Sequence, residues 1–364
     1  MNRPPHSMSL HASQFAMMLI GCTVGIGPLF IARIATVASG RDAWIVFLIY
    51  LAIILCNSLI MVQLAKRFPK QTFVQYVPEL VGTWIGKCIG FILIVLGILT
   101  IAVTMKILSY IIATYVLLKT PMDMFNVIIL MLLIYLVMFD LRVMGRLATG
   151  LFFVSFLFSY FYIPPVNDYG NVLLLMPFFE NGWQGIWKGL GAILFSLSGL
   201  ELFLTYYPYV DDKRNMRKYF IWSILFVGLL FEISLFTQQL VYPLKYLAHL
   251  WAPSIHYISI VEFPVFERTD AIFTIFWFTV LFKTAAVYMY HSVISIQQVF
   301  QVHQKRIIVF LVAVLGFAVT KMIGNAADIE KWMIYVLTAN VGLSLILPSL
   351  LLMIAKFRRK GLAG

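Results

Sequence analysis

The sequence predicts an all-α integral membrane protein of ten transmembrane helices, arranged as two five-helix halves whose first and sixth helices are broken. Three observations predict it. Hydrophobic residues make up 62% of the 364 residues and charged residues 12%, with a mean hydropathy of +0.93. A soluble domain of this size would need roughly twice that charged share to cover its surface. Apolar stretches long enough for a bilayer follow one another along the whole chain. Two of them, at corresponding places in the two halves, are interrupted by glycine, which is the sequence signature of a binding site in a transporter-type fold.

A window of about 19 residues places the spans at 12–38, 43–65, 84–117, 124–140, 147–165, 186–208, 218–242, 269–300, 306–324 and 332–355. They form a single domain over 1–364, with a short N-terminal segment at 1–11 and a basic tail at 356–364. In the first span, Gly25-Ile26-Gly27 is followed by Pro28. Gly21 and Gly25 alone could be a small-residue face for close helix approach. That spacing leaves Pro28 unexplained. Proline lacks the amide hydrogen and suits the first turn of a new helix, so the run predicts an unwound linker opening a half-helix whose amides could hold an anion such as a carboxylate. The sixth span breaks at Ser198-Gly199-Leu200-Glu201. Spans three and eight exceed what a bilayer needs, which implies tilt or extension into the headgroups. Residues 243–268 and the stretch NVLLLMPFFENGWQ are too aromatic for disorder and predict short helices over the mouth of the bundle.

Lysine and arginine set the orientation. With ten spans, one side carries Arg3, Lys66, Arg67, Lys70, Lys87, Arg142, Arg146, Lys213, Arg214, Arg217, Lys218, Lys305, Arg306, Lys356, Arg358, Arg359 and Lys360, seventeen in all. The other carries eight: Arg33, Arg41, Lys119, Lys188, Lys245, Arg268, Lys321 and Lys331. The bias predicts both termini in the cytoplasm. The net charge of +12 then reflects loops beside anionic lipid heads rather than a nucleic-acid surface. The N-terminus has no short apolar core with a small-residue cleavage site, so no cleaved signal peptide is expected. Cys22, Cys56 and Cys88 fall in or at apolar stretches and read as small buried hydrophobes.

Four ionisable residues fall within spans, where charge costs several kcal/mol unless paired or hydrated. Glu201 follows the break in span six, where it could coordinate a cation, take a proton or tether span one, or could simply cap the broken backbone. Lys283, in the middle of span eight, could occupy the place of a bound cation, pair with Glu201, or snorkel from a flank. Thr284 and Tyr288 share one face of that span. Glu232 and Lys106 have no glycine break nearby and read as interhelical polar contacts. No Gly-x-Ser-x-Gly elbow, phosphate-cradling loop, His-Glu-x-x-His or paired cysteines occur, and the six histidines are scattered. The chain is not expected to be an enzyme, and no cofactor or metal site is expected.

Five phrases in order carry a resemblance: RDAWIVFLIY, AKRFPKQTFVQYVPELVGTWIGKCIGF, MPFFENGWQGI, FSLSGLELFLTYYP and VFERTDAIFTIFWF. Together, from about Ser9 to Arg359, the chain resembles the endospore germination permeases. These are the B subunits of nutrient germinant receptors, a branch of the amino acid/polyamine/organocation superfamily. The resemblance implies a LeuT-type 5+5 inverted repeat with a ligand site between broken helices one and six. It places Gly25 and Gly27 on the family's glycine motif, Gly199 and Glu201 on its Gly-x-Glu beside Ser198, and Thr284 and Tyr288 on ligand-facing positions. Pro28 stands where the family usually has an aliphatic residue, Ala32 where it has proline, and Lys283 where the residue is commonly uncharged.

The resemblance further implies a nutrient-sensing subunit in the inner membrane of the spore. Its ligand is expected to be an amino acid, and its partners a large A-type membrane subunit and a C-type lipoprotein. The aromatic loop 244–268 reads either as a lid or partner surface or as interfacial anchoring. A stand-alone amino acid transporter coupled to a cation or proton would use the same breaks.

Overall fold

The computed structural model describes residues 9–261 and 268–361, with side chains throughout except at 154, 155 and 157–159. The first eight residues, positions 262–267 of the expected cover and 362–364 of the tail therefore lie outside the described residues. Apart from one bridge between Leu10 and Val210, every regular element among the described residues is helical.

The first span is two half-helices, α1 (Ala12–Val24) and α2 (Gly27–Ser39). Gly40, at φ +68°, stops α2 where a side chain would be strained. The chain continues through α3 (Ala43–Arg67), α4 (Phe73–Val81) and α5 (Thr83–Ile111), the last extended by a wider turn over Ile112–Val116. Helices α6 (Met122–Met138), α7 (Leu141–Tyr160) and the short α8 (Pro164–Tyr169) complete the first half. The second half opens with α9 (Gly182–Ala192), nine non-helical residues at 193–201, and α10 (Leu202–Tyr206). It continues as α11 (Met216–Val241), α12 (Leu244–His249), α13 (Pro253–Ser259), α14 (Thr269–Phe300), α15 (Lys305–Met322) and α16 (Ala326–Phe357).

Among the described residues, five stretches are long and apolar enough to cross a bilayer: Gly27–Arg67, Thr83–Val116, Met216–Val241, Thr269–Phe300 and Ala326–Phe357. Ala12–Val24 and Met122–Met138 are shorter apolar helices. The remaining expected spans correspond to α7, to the interrupted pair α9 and α10, and to α15. Large apolar side chains cover the outside of the bundle, among them Met131, Tyr135, Ile307, Val314 and Tyr335. Such a surface is stable only against lipid.

α14 runs along α5 at the centre, and α1 packs on α7, α11 and α14. α14 is 32 residues long, as its span length implied, and so is α16, which starts six residues earlier than expected at Ala326. Asn325 sets that start by accepting from the amides of Ala327 and Asp328 at 3.0 and 3.1 Å, a cap worth about 1 kcal/mol. α4 was not expected. Its signal was the pair Thr72 and Gln75, a capping box in which the Thr72 amide donates to Gln75 Oε1 at 3.0 Å. Cys22 is buried as expected, but Cys56 and Cys88 are exposed, because they lie on the outer faces of α3 and α5.

The two ends of the bundle differ. Leu10 pairs with the backbone of Tyr209 and Asp211, Gln298 bridges Thr72 and the Tyr209 hydroxyl, and the Lys360 side chain reaches the Glu79 carbonyl at 2.6 Å. The described N- and C-terminal residues therefore share one end, together with the loops that carry most of the basic residues. At the other end, ion pairs join Arg33 to Glu330 and Lys321 to Asp123. The α12–α13 cover also lies there, with Trp251 donating to the Ala326 carbonyl at 3.3 Å.

His256 of that cover sits between two tyrosines, 2.9 Å from the Tyr242 hydroxyl and 3.0 Å from that of Tyr246. A neutral ring satisfies both, donating from one nitrogen and accepting at the other. Burial lowers the His256 pKa from its ordinary 6.5. The folded pKa lies below the unfolded one, so the stabilisation is complete above about pH 6.5 and is lost as pH falls through the lowered value. Amide exchange across 244–259, corrected for intrinsic rate, is expected to quicken between about pH 7.5 and about pH 5 in the native chain but not in His256→Phe. Equal behaviour of the two chains would contradict this.

Candidate functional site

The two breaks meet. α1 ends at Val24, and the chain reverses over Gly25 (φ +21°) and Ile26 before α2 begins at Gly27 with Pro28 in its first turn. The linker is thus two residues rather than three, since Gly27 already has helical geometry. In the sixth element the helix is lost at Ile193, five residues before the expected break, and resumes after Glu201. A Cβ on Gly27 would collide with the Phe231 ring and lie 2.9 Å from the Ser196 carbonyl. A Cβ on Gly199 (φ +117°) would lie 3.0 Å from the amide and hydroxyl of Thr23. Glycine at each break therefore lets the backbone of one press on that of the other, a contact of this closeness that no other residue permits.

Unwound backbone in an apolar bundle must find partners. The Leu194 carbonyl accepts from the Tyr50 hydroxyl of α3 at 3.0 Å. The Gly199 amide donates to Glu201 Oε2 at 2.9 Å, and the other carboxylate oxygen, Oε1, accepts a short hydrogen bond from Tyr288. Ser198 Oγ lies 3.0 Å from the Tyr288 hydroxyl, and Asn340 Nδ2 donates to Ser198 Oγ at 3.4 Å and to Thr100 Oγ1 at 2.9 Å. The donors run from Asn340 through Ser198 and Tyr288 and end on the carboxylate. Hydrogen bonds to a charged group are worth about 1.5–3 kcal/mol each, and a chain of them strengthens its members. Glu201 thus caps the broken backbone and also ties it to α14 rather than to span one.

One turn back on α14, Thr284 Oγ1 donates to the carbonyls of Gly21 and Val280, at 3.2 and 3.0 Å. It also stands 3.3 Å from where a Gly25 side chain would begin. Thr284 and Tyr288 therefore do share a face, and that face grips both breaks. Lys283 is 1% exposed. Its ammonium lies against Gly21, where a Cβ would collide with Nζ and Cε. It has no hydrogen-bond partner and makes no ion pair with Glu201. Lys283 is thus buried and Glu201 half-buried at the breaks, with their polar groups turned to different neighbours. Gly21, which the spacing alone could assign to helix approach, makes room for this side chain.

Asn340 and Thr100 were not singled out from the sequence; an amide in the middle of span ten was the available signal. The Pro28 carbonyl is a further junction, accepting from Ser254 Oγ of α13 at 2.6 Å and from Ser234 Oγ of α11 at 3.1 Å. It joins the first break directly to the cover. Glu232 does not make the interhelical contact expected of it, whereas Lys106 on α5 stands within electrostatic reach of Asp123 on α6 and Lys321 on α15. Glu232 Oε2 is buried without a hydrogen-bond partner, and Lys106 is half-buried with no ion pair among the described residues. Beside Glu201, on the side away from α2, a cavity of ≈ 20 Å³ is lined by Thr205, His291 and Ser344. It has room for about one water molecule. No group of His, Cys, Asp or Glu that could hold a metal occurs among the described residues.

The family described as spore germination protein matches residues 9–328. Spore germination protein GerQB of Bacillus cereus is 25% identical over 308 residues, covering 82% of this chain and 84% of its own. Among solved structures, MhsT in complex with L-phenylalanine superposes with a TM-score of 0.70 at 15% identity, over 95% of this chain and 89% of that one. The Eremococcus coleocola manganese transporter gives 0.62 at 13% identity, over 96% and 80%. At these identities the likeness shows the fold, which is LeuT-type.

Two sets of substitutions test the contacts at the breaks. Gly27→Ala and Gly199→Ala are each expected to lower thermal stability by about 1–3 kcal/mol, whereas Gly342→Ala, where a Cβ meets nothing, should not. Gly21→Ala should be costly in the native chain and nearly neutral, within about 0.5 kcal/mol, in Lys283→Ala. Additive costs in thermal melts of the purified chain would show that Gly21 is not there to house the lysine.

Proposed function

The chain belongs to the spore germination protein family, and from that premise we propose that it is the B-type membrane subunit of a nutrient germinant receptor. In this reading it binds a small nutrient between the broken first and sixth elements. The observation that carries the reading is that one face of α14 holds both breaks, through Thr284 and Gly21 on one side and Tyr288, Ser198 and Glu201 on the other. A ligand entering between the breaks has to compete for these bonds. The breaks touch, with a Cβ on Gly199 meeting Thr23 at 3.0 Å, so binding between them requires the packing to open. A ligand that binds the opened packing more tightly shifts the population toward it, and partners that grip one packing read the shift.

The ligand contacts in this reading are the backbone at Gly25 and Gly27, the unwound Ser198-Gly199, the hydroxyls of Thr284 and Tyr288, and Glu201. Lys283 places its amine beside α1, where a cation-coupled relative would bind an ion. Amino acids are the class to test first, because a fold neighbour holds L-phenylalanine. The partners are an A-type membrane subunit and a C-type lipoprotein in the inner membrane of the spore, with both ends of this chain in the cytoplasm. The seventeen-to-eight basic bias and the clustering of the basic loops at the end that carries Leu10 and Lys360 support that orientation.

A second reading has its own support, since a neighbour of this fold is a manganese transporter. In that reading the chain alone would move an amino acid across the membrane, coupled to a cation or proton. Uptake of labelled amino acids into proteoliposomes containing only this chain would favour it over the receptor. Co-purification with A- and C-type subunits from spores, without uptake by the chain alone, would favour the receptor.

In spores that accumulate the protein at native levels, Glu201→Gln is expected to slow nutrient-triggered germination at least about tenfold. Thr284→Leu should raise the nutrient concentration needed by a similar factor, the equivalent of about 1.4 kcal/mol. Unchanged germination in both variants would remove these residues from the site.

A further inference from the structure

An open basin of ≈ 400 Å³ lies at the basic-rich end, between the last turn of α3 and the first turns of α11. Four cationic side chains line it: Lys66, Arg214, Arg217 and Lys218. None of the four is in an ion pair among the described residues. Ion pairs found among the described residues use Arg33, Arg41, Arg268 and Lys321, all from the opposite end. The local fold explains why three of them stay unpaired. Asp212 turns its carboxylate to the Arg214 backbone amide at 3.0 Å, and Lys213 folds back onto the Val210 carbonyl at 2.7 Å. That leaves Arg214, Arg217 and Lys218 pointing outward with no acid between them.

The basin is also poorly arranged for an empty site. Arg217 and Lys218 stand in the first turn of a 26-residue helix that has no acidic residue there and no side-chain cap from Asn215. Two cations then face the positive end of the helix dipole and its free amides, which favours a bound anion. Four like charges around one concave surface repel one another until a counter-charge enters. The apolar part of the lining sits one turn further along α11, where Ile221 is half-buried and Trp222 is 61% exposed. A polar, anionic head followed by an apolar body matches that sequence of surfaces, and indole rings favour the headgroup level of a bilayer.

We propose that this basin binds the phosphate of an anionic phospholipid headgroup, with the acyl chains running along Ile221 and Trp222. The phosphate accepts from Arg214, Arg217 and Lys218, with Lys66 closing the site from α3, and the amides of the first turn of α11 face the same charge. Arginine suits this role because its planar fork meets two phosphate oxygens at once. The site lies apart from the breaks and does not depend on the nutrient reading.

The test uses the purified full chain in nanodiscs of phosphatidylcholine with and without phosphatidylglycerol, counting retained lipids by native mass spectrometry. The native chain should retain one phosphatidylglycerol at least about tenfold more strongly than phosphatidylcholine, given about a kcal/mol per basic residue at an anionic surface. The triple variant Arg214→Gln, Arg217→Gln, Lys218→Gln should lose that preference. A control that removes the same charge from the same end, Lys70→Gln, Lys356→Gln, Arg359→Gln, should keep it within about twofold. Equal losses in the two variants would mean only diffuse attraction to the membrane and would overturn the site. If the basin variant does not fold, the native chain decides alone, since a lack of preference for phosphatidylglycerol overturns the proposal. In detergent, inorganic phosphate at millimolar concentration should not raise the melting temperature of the native chain. Stabilisation by free phosphate with no lipid preference would overturn the assignment to lipid.

Discussion

The fold depends on how nine non-helical residues survive in the middle of an apolar bundle. Residues 193–201 lie mostly buried inside the bundle, where an amide or carbonyl left without a partner costs a few kcal/mol. Glu201 resolves the worst of this with one side chain. One oxygen takes the Gly199 amide, and the other takes the Tyr288 hydroxyl. The first bond makes the break tolerable, and the second fixes its position against α14. Without the carboxylate, the Gly199 amide at φ +117° would lose its acceptor and the break its bond to Tyr288.

From that anchor the rest of the arrangement follows. α14 lies along α5 and carries Thr284 and Tyr288 one turn apart, so a single rigid element reaches the first break and the second together. The Pro28 carbonyl extends the connection outward, through Ser234 to α11 and through Ser254 to the cover. A change at the breaks therefore reaches the cover through one hydrogen bond. Polar bonds and close glycine contacts hold this packing together at both breaks. Lys283 adds a fixed cost. An ammonium buried against Gly21 without a hydrogen bond stays charged only at the expense of stability, and sites under such strain concentrate where proteins act.

Much of this was legible in the sequence because membrane insertion imposes strict rules. The breaks announced themselves at Gly25, Pro28 and Gly199, since glycine and proline have few other uses inside an apolar span. The pairing of Thr284 with Tyr288 followed from helical spacing alone. The length of the sixth break did not, because Ile193, Phe195 and Leu197 are apolar and read as helix. They leave the helix through tertiary contacts, such as Tyr50 taking the Leu194 carbonyl. Asn340 was missed for a related reason. Uncharged polar residues are common in spans, and only the fold shows that this one reaches Ser198 and Thr100. The interhelical contact expected of Glu232 failed because residue type indicates a need for partners without showing where they are. Cys56 and Cys88 were misjudged because hydropathy does not separate a lipid-facing position from a buried one.

The central claim is that Glu201 and Tyr288 act as one clasp between the sixth element and α14. A double-mutant cycle on Glu201→Gln and Tyr288→Phe, read as thermal unfolding of the purified chain in detergent, tests it most directly. The expected result is a coupling of about 1–3 kcal/mol, with the double variant little worse than either single one. Strictly additive losses would mean that the two side chains act independently, and the clasp would have to be abandoned.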